Sequence, residues 1–239
     1  MSLKLLNKGN KVAEIFIYGD IGDSWFSDSI TAKDFAQQVQ KLGDIDTIYL
    51  NINSPGGVVW DGLAIHNVLT RHKAKVIVNI DGLAASIASI VAMSGDEINM
   101  AANAFMMIHN PWTFTSGFSD DLRKTAEQLD LVAEELLNTY CHQCGDKTSK
   151  DTLKAFMDEE KWFNADEALA VGLVDSVTAE QQMAASMNFD MSRYKYKNTP
   201  KFIPAAHSKP SDIERRARIA KMEMYVTKNA SASRQSQKL

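Results

Sequence analysis

The sequence predicts an α/β fold with mostly parallel strands, and two features of the chain carry that prediction. Strand-like and helix-like segments alternate as far as about residue 110, which is the pattern of parallel strands joined by helical crossovers. Each of the first three strand-like runs is short, rich in β-branched residues and followed by a glycine-bearing turn, as buried strands are.

The elements follow in order. The first strand is expected to begin near Val12, since Val12 to Tyr18 ends at Gly19. Ile30-Thr31 opens a helix in which Phe35, Val39 and Leu42 recur near helical spacing and Gly43 stops the run. Thr47 to Asn53 is a second strand. It leads into Ser54-Pro55-Gly56-Gly57, where proline fixes φ and glycine permits positive φ. A helix over Trp60 to His72, with Leu63, Asn67 and Thr70 on one side, leads to a strand at Lys75 to Ile80. Asp81-Gly82-Leu83 reads as a turn, and Ala84 to Met93 as a helix buried on every side. Glu97 to Met100 and Ala104 to Ile108 are short strands. Ser119 to Tyr140 is a long amphipathic helix with an apolar stripe of Leu122, Ala126, Leu129, Val132, Ala133 and Leu136. Helices at Ser149 to Met157 and Asp166 to Val171 follow, the last ended by Gly172.

Beyond Val177 the pattern thins. Gln181 to Asn188 is compatible with a frayed helix, and Arg193 to Pro210 reads as a linker. Ser211 to Glu214 fits a helix-start capping box for a short helix near 211–226, and Asn229 to Leu239 reads as disordered. The division is therefore a domain over 1–180 and a basic tail over 181–239. From Asp190 onward there are 12 Lys+Arg against 4 Asp+Glu, so the tail carries +8 and the rest of the chain −12, for a net charge of −4. An acidic body argues against nucleic-acid binding by that body. The tail is either a solvated segment or a contact for an acidic surface. No run approaches the ~20 apolar residues of a membrane span, and two cysteines make no disulfide framework. A soluble, cytoplasmic protein is expected.

Three local constellations carry chemistry. Gly56 and Gly57 follow a strand, so their N–H groups can face a ligand; the plain alternative is a tight turn. Ser86 lies in Gly82-Leu83-Ala84-Ala85-Ser86-Ile87-Ala88, where small neighbours and a helix start favour developing negative charge. The plain alternative is a tightly packed helix whose Ser86 and Ser89 bond back to carbonyls. His109 closes a strand just before Asn110-Pro111, where a histidine reaches into a cleft or is simply half-buried.

In this order and spacing the three motifs resemble the Clp protease proteolytic subunits, from about Val12 to Val177. The resemblance continues at Trp162-Phe163-Asn164-Ala165-Asp166-Glu167-Ala168 and Gly172-Leu173-Val174-Asp175. Ile17 to Gly22, Asp61 to Ile65 and His109 to Trp112 are similar to the phage-encoded Clp-like head maturation (prohead) proteases. The resemblance implies a ClpP/crotonase-like fold with a long handle-like helix and a Ser-His-acid triad without metal or cofactor. Ser86 would be the nucleophile and His109 its base, with the N–H groups of Gly57 and Ile87 holding the oxyanion. Register puts the acid at Glu160, with Asp158 and Glu159 as rivals and Asp175 in a structural role. It also implies a homo-oligomeric ring, protein substrates such as capsid or scaffold proteins in the host cytoplasm or the assembling head, and a groove rim at Trp112 to Gly117. An ATP-driven unfoldase partner is not expected, because a first strand near Val12 leaves little room for a pore-lining segment. The linker-like tail suggests self-cleavage between Arg193 and Pro210.

Other features are read as inert. Cys141-His142-Gln143-Cys144 lacks the second ligand pair of a zinc site. His66, His72 and His207 lack acidic partners and are expected at the surface. A crotonase-like acyl-CoA enzyme would draw on carboxylates instead of Ser86 and His109. A silent scaffold would not need them, and a lysine base is missing from Val76 to Leu122.

Overall fold

The computed structural model describes residues 3–7, 11–23, 29–180, 194, 196–200, 220 and 224. In chain order the elements are β1 (Leu3–Asn7), β2 (Val12–Tyr18), β3 (Asp20–Ile21), β4 (Ser29–Ile30), α1 (Ala32–Gln40), β5 (Thr47–Ser54) and α2 (Val59–Thr70). Then come β6 (Lys75–Ala85), α3 (Ile87–Ala92), β7 (Glu97–Ala101), β8 (Phe105–Ile108), α4 (Ser119–Cys144), α5 (Lys150–Asp158), β9 (Lys161–Asn164), α6 (Ala165–Val171) and β10 (Ser176–Thr178).

One mixed sheet organises them, in the order β1-β2-β5-β6-β7-β10. Along that order every pair from β2 to β10 is parallel, with Ile48 beside Val76 and Val78 beside Ile98, while β8 lies off it, parallel to the end of β6 and antiparallel to β9. β2 alternates buried and half-buried residues, so Ala13, Ile15 and Ile17 point into the core with Ile48, Leu50, Val76 and Val78. The helix ends follow local chemistry: Thr31 caps α1 by accepting from the Asp34 N–H, and Asn164 and Glu167 cap α6 reciprocally.

The opposite face of the sheet is crossed by a ladder of polar side chains. Ser176 Oγ donates to Asn99 Oδ1 at 2.5 Å, Asn99 to Asn79 at 3.5 Å, Asn79 to Asn51 at 3.0 Å, and Asn51 to Glu14 Oε1 at 3.1 Å. Beside it the Tyr18 hydroxyl donates to Asp81 at 2.6 Å. Asp175 closes the far edge, accepting from the Ile98 N–H at 2.8 Å, a structural role.

Several expectations need correction. The first strand is β1, not Val12 to Tyr18, and it pairs antiparallel with β2. Asp81-Gly82-Leu83 is no turn: β6 runs on to Ala85, and α3 starts at Ile87, not Ala84. Strand pairing of Leu83, Ala84 and Ala85 with Phe105, Met106 and Met107 outweighs alanine's helix preference. α2 buries Gly62, Ile65 and Leu69, a face one step from Leu63, Asn67 and Thr70. The apolar stripe of α4 is not core along its length. Only Leu136, Leu137, Tyr140 and Cys144 are buried, while Leu122 and Leu131 are exposed. His66 and His72 are half-buried instead of exposed, and the His72 Nδ1 accepts from the Ala74 N–H. His207, the segment 181–188 and the terminal residues 229–239 lie outside the described residues. So does the helix expected near 211–226, apart from Ala220 and Met224, which have helical backbone and are exposed.

Candidate active site

The end of β6 and the start of α3 meet at a sharp corner occupied by Ser86. Its backbone has φ 55° and ψ −129°, a region that costs a non-glycine residue about 1–3 kcal/mol and persists only when its surroundings enforce it. They do so from three sides. The Ser86 N–H donates to Met107 O at 2.9 Å. The Ser86 carbonyl accepts from Ser89 Oγ at 2.5 Å, and Ser89 is in turn hydrogen-bonded to the buried Tyr140 hydroxyl of α4 at 2.8 Å. Gly56 lies against the corner: at its φ of 97°, a Cβ would fall 2.7 Å from Ala85 O and 2.8 Å from Ser86 Cβ. Gly57 follows at φ 147°, clamped between two bonds, Ile21 N–H to Gly56 O at 2.9 Å and Val58 N–H to Ile21 O at 2.8 Å.

His109 sits one residue beyond β8, the strand that pairs with the end of β6, so strand register delivers it to the corner. Ser86 Oγ and His109 Nε2 are 2.7 Å apart. Burial lowers the His109 pKa from its ordinary 6.5; Glu160 opposes this, and Lys197 adds to it. Of the three candidate acids, Glu160 alone is buried. It has a positive φ of 54° at the turn into β9. Its carboxylate accepts the N–H groups of Lys197 at 2.9 Å and Asn198 at 2.8 Å, with the Trp162 indole N–H at 3.5 Å. Asp158 is exposed and bound to Asn110 and Lys154, and Glu159 is exposed. The structure thus joins Ser86, His109, Gly56 and Gly57 directly, puts Ile87 next in the chain, and brings Glu160 to bear on His109 through its field.

A cavity of about 470 Å³ opens in front of the pair, lined by Gly57, Trp60, Trp112, Phe114, Tyr194 and Tyr196 among others. Trp112 and Phe114 stand at its rim, where the sequence places a groove edge. A larger hollow of about 840 Å³, near His66, His72 and His142, contains no paired nucleophile and base. Among the described residues no group of three or more His, Cys, Asp or Glu is placed to hold a metal ion. Cys144 is core, its thiol pushed up to about 12 by burial.

Sequence reasoning missed Tyr194, Tyr196 and Trp162 at this site. Residues 193–210 read as a linker, yet Tyr196 packs edge-on to His109, ring centroids 5.4 Å apart. The available signal was the pair of tyrosines in Tyr194-Lys195-Tyr196-Lys197, since large aromatic side chains are uncommon in a solvated linker.

A family model described as Clp protease matches residues 2–181. The chain belongs to the Clp protease family. This is a family of serine proteases, and the strained serine facing a histidine is in keeping with it. An ATP-dependent Clp protease proteolytic subunit of Bacteroides fragilis is 32% identical over 155 residues, covering 63% of this chain and 74% of the relative. The ATP-dependent Clp protease proteolytic subunit 1 of Salinibacter ruber is 30% identical over 149 residues, covering 62% of this chain and 63% of the relative. The Clp protease match ends at residue 181, so Tyr194 and Tyr196 lie beyond it. No helix among the described residues is long and apolar enough to cross a membrane.

Proposed function

We propose that this chain is a serine endopeptidase in which Ser86 is the nucleophile and His109 its base. The 2.7 Å contact between Ser86 Oγ and His109 Nε2 at a strained corner carries the reading. His109 Nε2 takes the Oγ proton as Oγ attacks the scissile carbonyl, then gives it to the departing amine as the C–N bond breaks. Water repeats the sequence on the acyl-serine and restores the free hydroxyl. The N–H groups of Gly57 and Ile87 take the oxyanion. Glu160, buried near His109, stabilises the imidazolium by its charge. Clp proteases form oligomeric rings and act on protein substrates, and the exposed Phe118, Leu122 and Leu131 of the α4 region support self-association here. The phage-like motifs around Ile17, Asp61 and His109 support capsid or scaffold proteins as the substrates. A non-catalytic scaffold and a crotonase-like acyl-CoA enzyme are less well supported, since neither uses a serine aimed at a histidine.

A fluorophosphonate probe tests the pair. In a sample whose assembled mass is read by light scattering, wild-type chain is expected to label, while Ser86→Ala and His109→Ala are not. Undiminished labelling of Ser86→Ala would reject the assignment. For the substrates, head proteins co-expressed with the wild-type chain are expected to appear shortened by mass spectrometry, and full-length with Ser86→Ala. Intact head proteins beside an active peptidase would reject that substrate class.

The pH dependence follows from burial. His109 must be neutral to accept the proton, and its pKa lies below 6.5. The half-maximal point of labelling is therefore expected below pH 6.5, with activity lost toward acid as His109 takes up its proton. A half-maximal point above that value would contradict the effect of burial.

A further inference from the structure

Tyr194 and residues 196–198 are fastened into the cleft by contacts that resemble ligand binding more than linker packing. The Tyr196 ring fills a socket formed by buried Leu83, Ala85 and Met107, with Phe105 and Trp162 packed around them. Its ring is edge-on to Trp162 at 5.9 Å and to His109 at 5.4 Å. Its hydroxyl donates to Pro55 O at 2.5 Å. Burial raises the phenol's pKa. The next two residues present their N–H groups to the two carboxylate oxygens of Glu160, and the Asn198 side chain donates to Glu159 O at 2.7 Å. On the other flank Tyr194 stacks on Tyr196 and donates to Asp20.

We propose that the cleft contains a peptide-binding site for a tyrosyl side chain and the two peptide N–H groups that follow it, and that the chain fills this site with its own Tyr196–Asn198, holding the peptidase closed. The inference rests on the peptidase reading above and adds its regulation. The strap presents to the cavity that Ser86 lines a phenol, which offers no carbonyl to attack. It also occupies both oxygens of Glu160, the carboxylate whose field supports a charged His109. Being tethered, the strap competes with substrate at the high effective concentration of an intramolecular ligand. Activation then means displacing or removing residues 194–198.

Two measurements on the full chain test this. The first needs no catalysis: a fluorescent peptide Tyr-Lys-Tyr-Lys-Asn-Thr-Pro, matching residues 194–200, is titrated by polarisation into a Ser86→Ala, Tyr196→Ala double variant. Saturable binding is expected there. Binding is expected to be at least tenfold weaker to Ser86→Ala, whose own strap competes, and weaker again when the peptide's second tyrosine is alanine. Equal binding to both proteins, or none, overturns the proposal. The second is the rate of fluorophosphonate labelling. Tyr196→Ala, and Asn198→Pro, which deletes one N–H to Glu160, are each expected to raise it about tenfold or more, as a strap closed nine-tenths of the time requires. Tyr196→Phe is expected to give a smaller rise. Unchanged or slower labelling by folded variants would make the strap part of the working site and overturn its inhibitory role. Peptide binding without labelling in any variant would leave the binding site standing and remove the peptidase reading.

Discussion

Replacement of His109 by alanine is expected to lower kcat for a fluorogenic peptide by at least about 10³-fold, the scale of losing a positioned general base. Nε2 is the group within bonding distance of Ser86 Oγ that can take a proton and return it. The same kinetics on Glu160→Gln are expected to show a smaller loss. Glu160 reaches His109 by its charge while its oxygens hold the N–H groups of Lys197 and Asn198. Charge acting across such a gap is worth roughly 1–3 kcal/mol at an effective dielectric of about 20, or about 10- to 100-fold in rate. Retention of wild-type kcat within tenfold by His109→Ala would end its role as base. A Glu160→Gln loss as deep as that of His109→Ala would instead mean that the carboxylate bonds His109 directly during turnover, once the strap has left.

The second large effect is expected at Gly57. A Cβ there would lie 2.0 Å from Ile21 O at a φ of 147°, and the atom it meets is backbone that already accepts from Val58 N–H. Gly57→Ala is therefore expected to cost about 2–5 kcal/mol, combining backbone strain with a forced shift. For a chain of this size that lowers Tm by roughly 5–15 °C. The informative control is Gly43→Ala. Gly43 also has positive φ, 72°, but nothing lies within 4 Å of its Cβ position, so only the left-handed strain of about 1–2 kcal/mol applies. Thermal melts of the two variants side by side separate close approach from strain, and equal melting temperatures would remove the clash as the cause. Loss of fluorophosphonate labelling in Gly57→Ala below its melting point would add the expected disturbance of the Ser86 corner.

Much of this site was legible because its parts are short-range motifs. Strand, Ser54-Pro55-Gly56-Gly57 and helix follow one another within a few residues, and His109 ends a strand just before a proline. What escaped depends on long-range pairing. Ala84 and Ala85 look helical until β8 lies beside them. The residues Trp162 and Phe163 of β9 form a strand because Phe105 to Ile108 run antiparallel to them. The Leu122 to Leu136 stripe has helical spacing, yet spacing alone does not say whether its partner is the same chain. The Lys- and Asn-rich composition around Tyr196 looks like solvated linker, because the socket that buries its ring is assembled from β6, β8 and β9. Glu160 was reached by counting register, but its bond to the strap was not, since that joins residues 37 and 38 positions apart.

The polar ladder from Ser176 to Glu14 has a consequence for the folding landscape. Each amide accepts from one neighbour and donates to the next, so the chain of bonds runs one way and ends on a carboxylate. Five strands must be adjacent, in order and in register, before the last side chain finds its partner. A strand inserted in the wrong place, or slipped by one residue, would leave partly buried amides unpaired at about 1–3 kcal/mol each. Those penalties accumulate in the misassembled sheets and are absent from the native one. Branched apolar strands such as β5 and β6 could pair in several ways on hydrophobicity alone, and the ladder widens the energy gap that separates the native sheet from those competitors.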